Sequence, residues 1–198
     1  MTTVERLSVV VPADWVTGPK QGQWTYADYA ALPEDGQRYE VVSGVLYMSP
    51  SPNPEHQEIA GAIFSYLRNV VQVAGVGKVY IAPLDVELNS ETLVQPDVLV
   101  VLKAHLDRIT KSRVVGAPDI VVEVASPATA RHDLHKKLLA YERAGVPEYW
   151  IVLPGERAVE LLVLGEDGYY SLGIFRGAAV LPSRIVPDLT VRVEQFFA

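Results

Sequence analysis

Three residues in the middle of the chain have the types and order of a phosphodiester-cleaving site. Asp97 opens the apolar run Gln95-Pro96-Asp97-Val98-Leu99-Val100-Val101, and Glu123 sits inside a second, Asp119-Ile120-Val121-Val122-Glu123-Val124-Ala125. Both runs carry β-branched residues without alternation, the pattern of strands buried on both faces. A carboxylate in such a strand is costly unless something pairs with it. A divalent cation is one such partner, and hard oxygen ligands suit Mg2+ or Mn2+. Lys137, on the helix that follows, supplies a cation for an attacking water or for the phosphate.

Other candidates are weaker. Asp119 competes with Asp97, since it begins its strand four residues before Glu123 and on the same face; Asp97 is favoured because it opens the earlier strand. His56 falls in the first turn of a helix, where it is either a capping or surface histidine or a group near a substrate phosphate. Asp85 lies in the alternating stretch Leu84-Asp85-Val86-Glu87-Leu88 and reads as solvated. His132 and His135 are three apart but lack an obvious further ligand for zinc. Lys103, Arg108, Lys111 and Arg113 form a local concentration of positive charge, read most simply as a solvated loop.

The elements that position these residues follow from periodicity and breakers. Thr25 and Asp28 form a capping pair at a helix start, and Pro33 stops that helix. Tyr39 to Met48 reads as a hairpin turning at Ser43-Gly44. Ser49-Pro50-Ser51-Pro52-Asn53-Pro54 can be neither helix nor central strand. A long helix follows, with Ile59, Ala62, Ile63, Tyr66, Leu67, Val70 and Val71 inward, ending near Gly75 and Gly77. A further strand pair is broken at Pro83, and Ser126-Pro127 ends the strand of Glu123. The second long helix covers Asp133 to Ala144, its inward stripe being Leu134, Leu138 and Tyr141. Lys137 borders that stripe, whereas Lys136 points elsewhere; an i,i+4 pair between Asp133 and Lys137 is the simpler use of Lys137. Glu148 to Leu153, Ala158 to Leu164 and Tyr169 to Leu172 read as strands, and Glu194 to Phe197 as a last helical turn. Two strong helices among many strands imply an α/β or α+β sandwich around a mixed sheet.

The 198 residues suit one domain with a sizeable core, here an N-terminal arm at 1–22, with one short strand at Leu7 to Val11, and a domain at 23–198. Hydrophobic residues make up 49% and charged residues 21%, an ordinary globular balance. The absence of cysteine excludes disulfides and thiolate zinc sites. No apolar run approaches a membrane span and no signal peptide is visible, so a soluble cytoplasmic protein is expected. The net charge of −7 argues against a general nucleic-acid binder but is compatible with a metal-dependent nuclease.

From about Thr25 to Phe197 the chain resembles the Uma2 family of restriction-endonuclease domains, a branch of the PD-(D/E)XK nucleases. The resemblance rests on Leu32-Pro33-Glu34-Asp35-Gly36 with Tyr39-Glu40, on Ser49-Pro50-Ser51-Pro52 with His56, and on Gln95-Pro96-Asp97. It continues through Ala117-Pro118-Asp119-Ile120-Val121-Val122-Glu123-Val124, Ser126-Pro127, Asp133, Lys137 and Tyr141, and ends with Ala144-Gly145-Val146-Pro147-Glu148-Tyr149-Trp150. It implies a restriction-endonuclease-like core, a central mixed sheet flanked by helices, here with extra β-hairpins. Asp97 and Glu123 match the two acidic positions. The superfamily's usual lysine position, two after the second acid, is Ala125 here, and Lys137 matches a lysine moved to the next helix. Glu40 matches an N-terminal acidic residue that completes the metal shell or orients the lysine. Ser43-Gly44 stands where many relatives have Asp-Gly, a change that suits the same turn.

What the resemblance implies is a Mg2+- or Mn2+-dependent DNA endonuclease, with Asp97 and Glu123 on the metal and Lys137 beside the attacking water. A homodimer follows if both strands are cut. The competing expectations are a DNA-binding or regulatory module that kept the fold without cleaving, and a purely structural domain whose buried charges pair with one another.

Overall fold

The structure, a computed structural model, describes residues 10–125, 132–187 and 189–197, with backbone alone at 132–134. Among the described residues, two six-stranded sheets and three α-helices form its layers. In chain order the elements are β1 (Val11–Pro12), α1 (Tyr26–Ala30), β2 (Arg38–Val42), β3 (Val45–Ser49), α2 (Pro54–Leu67), β4 (Gly77–Ile81), β5 (Val86–Asn89), β6 (Thr92–Val94), β7 (Val98–Leu102) and β8 (Val114–Val115). They continue with β9 (Ile120–Val124), α3 (His132–Ala144), β10 (Glu148–Leu153), β11 (Ala158–Gly165) and β12 (Gly168–Arg176). The main sheet has the order β12-β11-β10-β9-β7-β4, and the second the order β1-β3-β2-β6-β5-β8. The main sheet is mixed: β9 and β10 run parallel, and its other pairs are antiparallel.

The unbroken apolar runs of β7 and β9 have a direct cause, since both faces of the main sheet are covered. Val98, Val100, Ile120 and Val122 pack toward Ile59 and Ile63 of α2. Leu99, Val101 and Val121 point the other way, into a core shared with Tyr141 of α3 and Val42, Val86 and Val94 of the second sheet. A third cluster, around Trp24, Val41, Leu46 and Leu93, covers the second sheet's far face. The expected mixed sheet flanked by helices is present, and its extra hairpins make up the second sheet.

Local signals account for the element ends. Thr25 caps α1 through a capping box with Asp28. The Asn53 side chain accepts from the His56 amide at 2.8 Å and Pro54 is the first helical residue, so α2 begins where the proline run permits. α2 continues as a π-helical turn through Arg68–Val73. β6 has only three residues, too few for a readable period, and it pairs β5 with β2. The segment from Lys103 to Arg108 is a short 3-10 helix. Of the expected strand at Leu7 to Val11, residues 7–9 lie outside the described residues, as does the Ser126-Pro127 break.

The turn joining β2 and β3 has positive φ at both central residues, 51° at Ser43 and 73° at Gly44, the requirement of a two-residue hairpin. Gly44 also links three segments: its carbonyl accepts from the Gly22 and Trp24 amides, and its N–H donates to the Glu91 carbonyl. A Cβ there would lie 2.6 Å from the Gly22 carbonyl. Gly44→Ala is therefore expected to cost at least about 1–3 kcal/mol of unfolding free energy, read by urea denaturation, whereas Ser43→Asn should be nearly neutral.

Candidate functional site

The register of the main sheet brings the two acids together. Val98 of β7 pairs with Val122 of β9 in antiparallel fashion, so one step outward puts Asp97 opposite Glu123. Asp97 Oδ2 accepts the Val124 amide at 2.8 Å and lies 3.1 Å from His56 Nε2 at the start of α2. Glu123 points from β9 toward α3, the opposite side from its neighbours Val122 and Val124. There Lys137 and Tyr141, one helical turn apart, converge on its Oε1, with Nζ at 3.1 Å and the phenol hydroxyl at 2.6 Å. Position 125 holds a buried alanine, so the cation reaches Glu123 from the helix rather than from the strand.

Lys137 Nζ also donates to Glu40 Oε1, at 2.9 Å, tying α3 to β2 of the second sheet. Both Glu40 oxygens are engaged: Oε1 additionally accepts the Gln95 amide at 2.6 Å, and Oε2 accepts the Ser49 hydroxyl at 3.1 Å. Asp97 and Glu123 are each held through one oxygen only. Among the described residues, neither Asp97 Oδ1 nor Glu123 Oε2 accepts a hydrogen bond. Asp133, the simpler partner proposed for Lys137, has its side chain outside the described residues. Lys136 takes a different partner, donating to the Tyr47 hydroxyl at 2.8 Å.

Three carboxylates, Glu40, Asp97 and Glu123, thus share one buried ammonium and one imidazole. The imbalance registers on Glu123. Burial pushes its carboxyl up to about 8; Lys137 opposes this, while the charges of Asp97 and Glu40 add to it. For His56, burial works against protonation, but the hydrogen bond to Asp97 and its charge outweigh that and raise the imidazole. Burial beside Glu123 holds the Tyr141 phenol well above its ordinary value, so it stays a donor.

Among the described residues no three Asp, Glu or His side chains already converge as a metal cluster. The donor chemistry nonetheless fits a divalent cation at Asp97 and Glu123. Among the described residues each has an unengaged carboxylate oxygen, and the local excess of negative charge is what such an ion relieves.

The other candidates have structural partners. Asp119, at the opposite end of β9 from Glu123, accepts the Leu102 amide at 2.7 Å and lies 2.8 Å from His105 Nδ1. Within the basic segment, Arg108 donates to the Ala117 carbonyl and Arg113 pairs with Glu87, while Lys103 and Lys111 are exposed. Asp85, expected on a wet face, is instead half-buried, and its Oδ1 accepts from Gln95 Nε2 at 2.8 Å and from the Tyr29 hydroxyl at 3.1 Å. The alternation of β5 is real, but Asp85 just precedes that strand, where Tyr29 of α1 and Gln95 reach its carboxylate. Sequence reasoning gave no role to Ser49, Gln95 or Tyr29; only Ser49 and Gln95 lay inside the quoted motifs. Glu148 was also missed. Fully buried at the start of β10, it accepts from the Trp150 indole at 2.7 Å and the Arg184 amide at 2.7 Å, and so clamps the C-terminal segment to the main sheet.

A family model described as Uma2, "Putative restriction endonuclease", matches residues 26–194. The chain belongs to the Uma2 family. Among solved structures it resembles a "putative nuclease belonging to DUF820" from Anabaena variabilis, at 20% identity and a TM-score of 0.74, over 88% of this chain and 97% of that one. No curated protein matches the chain. Family and fold together support a nuclease. Among the described residues no helix of this Uma2 protein is long and apolar enough to cross a membrane.

Two outcomes follow from the charge balance. Lys137→Met leaves Glu40 and Glu123 without their shared ammonium and is expected to cost about 3–5 kcal/mol in urea unfolding of the metal-free protein. The folded Glu123 carboxyl, at about 8, lies above its ordinary 4.5, so the folded state holds the extra proton between those values. That stability is present in full below the lower value and is lost as pH rises through the upper one. The raised His56 acts in the same direction. In EDTA, the melting temperature should therefore fall from about pH 5 to about pH 8.5, and Glu123→Gln should flatten the fall.

Proposed function

We propose that this protein is a metal-dependent endonuclease that hydrolyses DNA phosphodiester bonds. The observation that carries the reading is the pair Asp97 and Glu123, opposed across β7 and β9 with one oxygen each unengaged among the described residues, and Lys137 bonded to Glu123. In this reading Asp97 and Glu123 hold Mg2+ or Mn2+. Such an ion, when bound, lowers the cost of removing a proton from water and offsets charge on the phosphoryl oxygens.

The chain's own residues do the rest. Lys137, fixed between Glu40 and Glu123, orients the attacking water or neutralises charge developing at phosphorus. Glu40, with both oxygens already engaged, is a positioning residue for Lys137 rather than a ligand. Tyr141, one turn further along α3, also holds Glu123. His56, hydrogen-bonded to Asp97, fixes that carboxylate, and its raised imidazole adds positive charge near a substrate phosphate. The enzyme works in the cytoplasm, and cutting both strands requires two copies of the site, hence a homodimer.

The net charge of −7 favours a second reading, a regulatory module on the same fold that cleaves nothing. Supercoiled plasmid separates the two. Wild-type protein should nick or linearise it in Mn2+ or Mg2+, with Asp97→Asn and Glu123→Gln slower by about 100-fold or more. No cleavage in either metal sinks the nuclease, and equal cleavage by wild type and Asp97→Asn sinks the site. Metal alone should also raise the melting temperature, by up to about 2.7 kcal/mol of stabilisation at 100 times Kd, and Asp97→Asn should abolish that gain.

A further inference from the structure

Arg38 stands at the start of β2, two residues before Glu40 and therefore on the same face of the strand. It is half-buried, and its charge is felt by His56. Its Nε donates to Gln95 Oε1 at 3.2 Å. Among the described residues it has no carboxylate partner, and its two terminal amino groups make no hydrogen bond. A guanidinium left open on the strand face that also carries Glu40, one of the site's carboxylates, is unusual. Something holds it back from them.

Gln95 is that restraint. Its amide is fixed in one orientation, since Nε2 donates to Asp85 Oδ1 at 2.8 Å and to the Tyr29 hydroxyl at 3.3 Å. This turns Oε1 toward Arg38, while the Gln95 backbone N–H holds Glu40. Tyr29 donates its own proton to Asp85, and its phenol is raised by burial and by that carboxylate, so it remains a donor. The chain Tyr29, Asp85, Gln95 thus holds Arg38 by one nitrogen and leaves the fork of the other two unengaged.

We infer that Arg38 is the substrate-phosphate anchor of the site, and that Gln95, backed by Asp85 and Tyr29, is the positioning residue that aims it. A guanidinium fork matches two oxygens of a phosphodiester, and its fixed charge suits a site otherwise rich in carboxylates. The inference rests on the nuclease reading and adds to it a binding residue on the second sheet.

The test is binding of a fluorescein-labelled DNA duplex of about 20 base pairs, in Ca2+ to prevent turnover, as a function of salt. Arg38→Ala should weaken binding about tenfold and lower the slope of log K against log salt by about one, with the melting temperature unchanged. Arg38→Lys should keep the slope and recover part of the affinity, having the charge without the fork. Gln95→Leu should lose affinity several-fold at an unchanged slope, because the charge remains but is no longer aimed. In cleavage assays the Arg38→Ala loss should fall on KM more than on kcat. Equal affinity and slope for wild type and Arg38→Ala would overturn the anchor while leaving the nuclease standing. Wild type that neither binds nor cuts the duplex would remove both.

Discussion

Everything at the centre of this molecule is arranged around a shortage of positive charge. One buried ammonium, Lys137, serves two carboxylates, and a third lies across the strand pair with an imidazole for company. Burial multiplies the cost of each unpaired charge, so the site cannot be indifferent to what enters it. Protons relieve it, and the divalent cation proposed for Asp97 and Glu123 would do the same. The same imbalance explains why Tyr141 and two backbone amides, of Gln95 and Val124, are spent on carboxylate oxygens of the site.

The two sheets depend on that shortage as well. Lys137 leaves α3 between them, bonding to β9 of the main sheet and β2 of the second. Apolar packing provides most of the adhesion, through Val42, Val86 and Val94 against Leu99, Val101 and Val121. Packing of that kind does not by itself fix how one sheet lies on the other. A shared ammonium with two defined partners adds a directional constraint at one point of the interface.

Much of this was legible in the sequence because it follows from period and from breakers. The buried strands β7, β9 and β10, the β2–β3 turn and the two long helices each have an unmistakable pattern. Asp97, Glu123 and Lys137 were legible because charged residues sit badly in apolar neighbourhoods. What was not legible depends on register between strands far apart in the chain. Asp97 lies opposite Glu123 only because β7 and β9 pair with a particular offset. Asp85 escaped notice because the stretch around it alternates as a half-wet strand does, and nothing local says that Tyr29 and Gln95 reach its carboxylate. Glu148 looked like an ordinary strand opener; its role depends on a segment more than thirty residues later returning to it.

The site draws one residue or more from each of β2, the start of β7, β9, α2 and α3. No layer carries it alone, and no pair of adjacent elements does. Local opening of any one of them, at far less than the cost of global unfolding, dismantles the constellation. Such an architecture behaves as a logical conjunction: the chemistry exists only while every layer is docked at once. For a protein of nuclease type that is a form of safety, because a partly folded or partly degraded chain has lost the constellation before it has lost its shape.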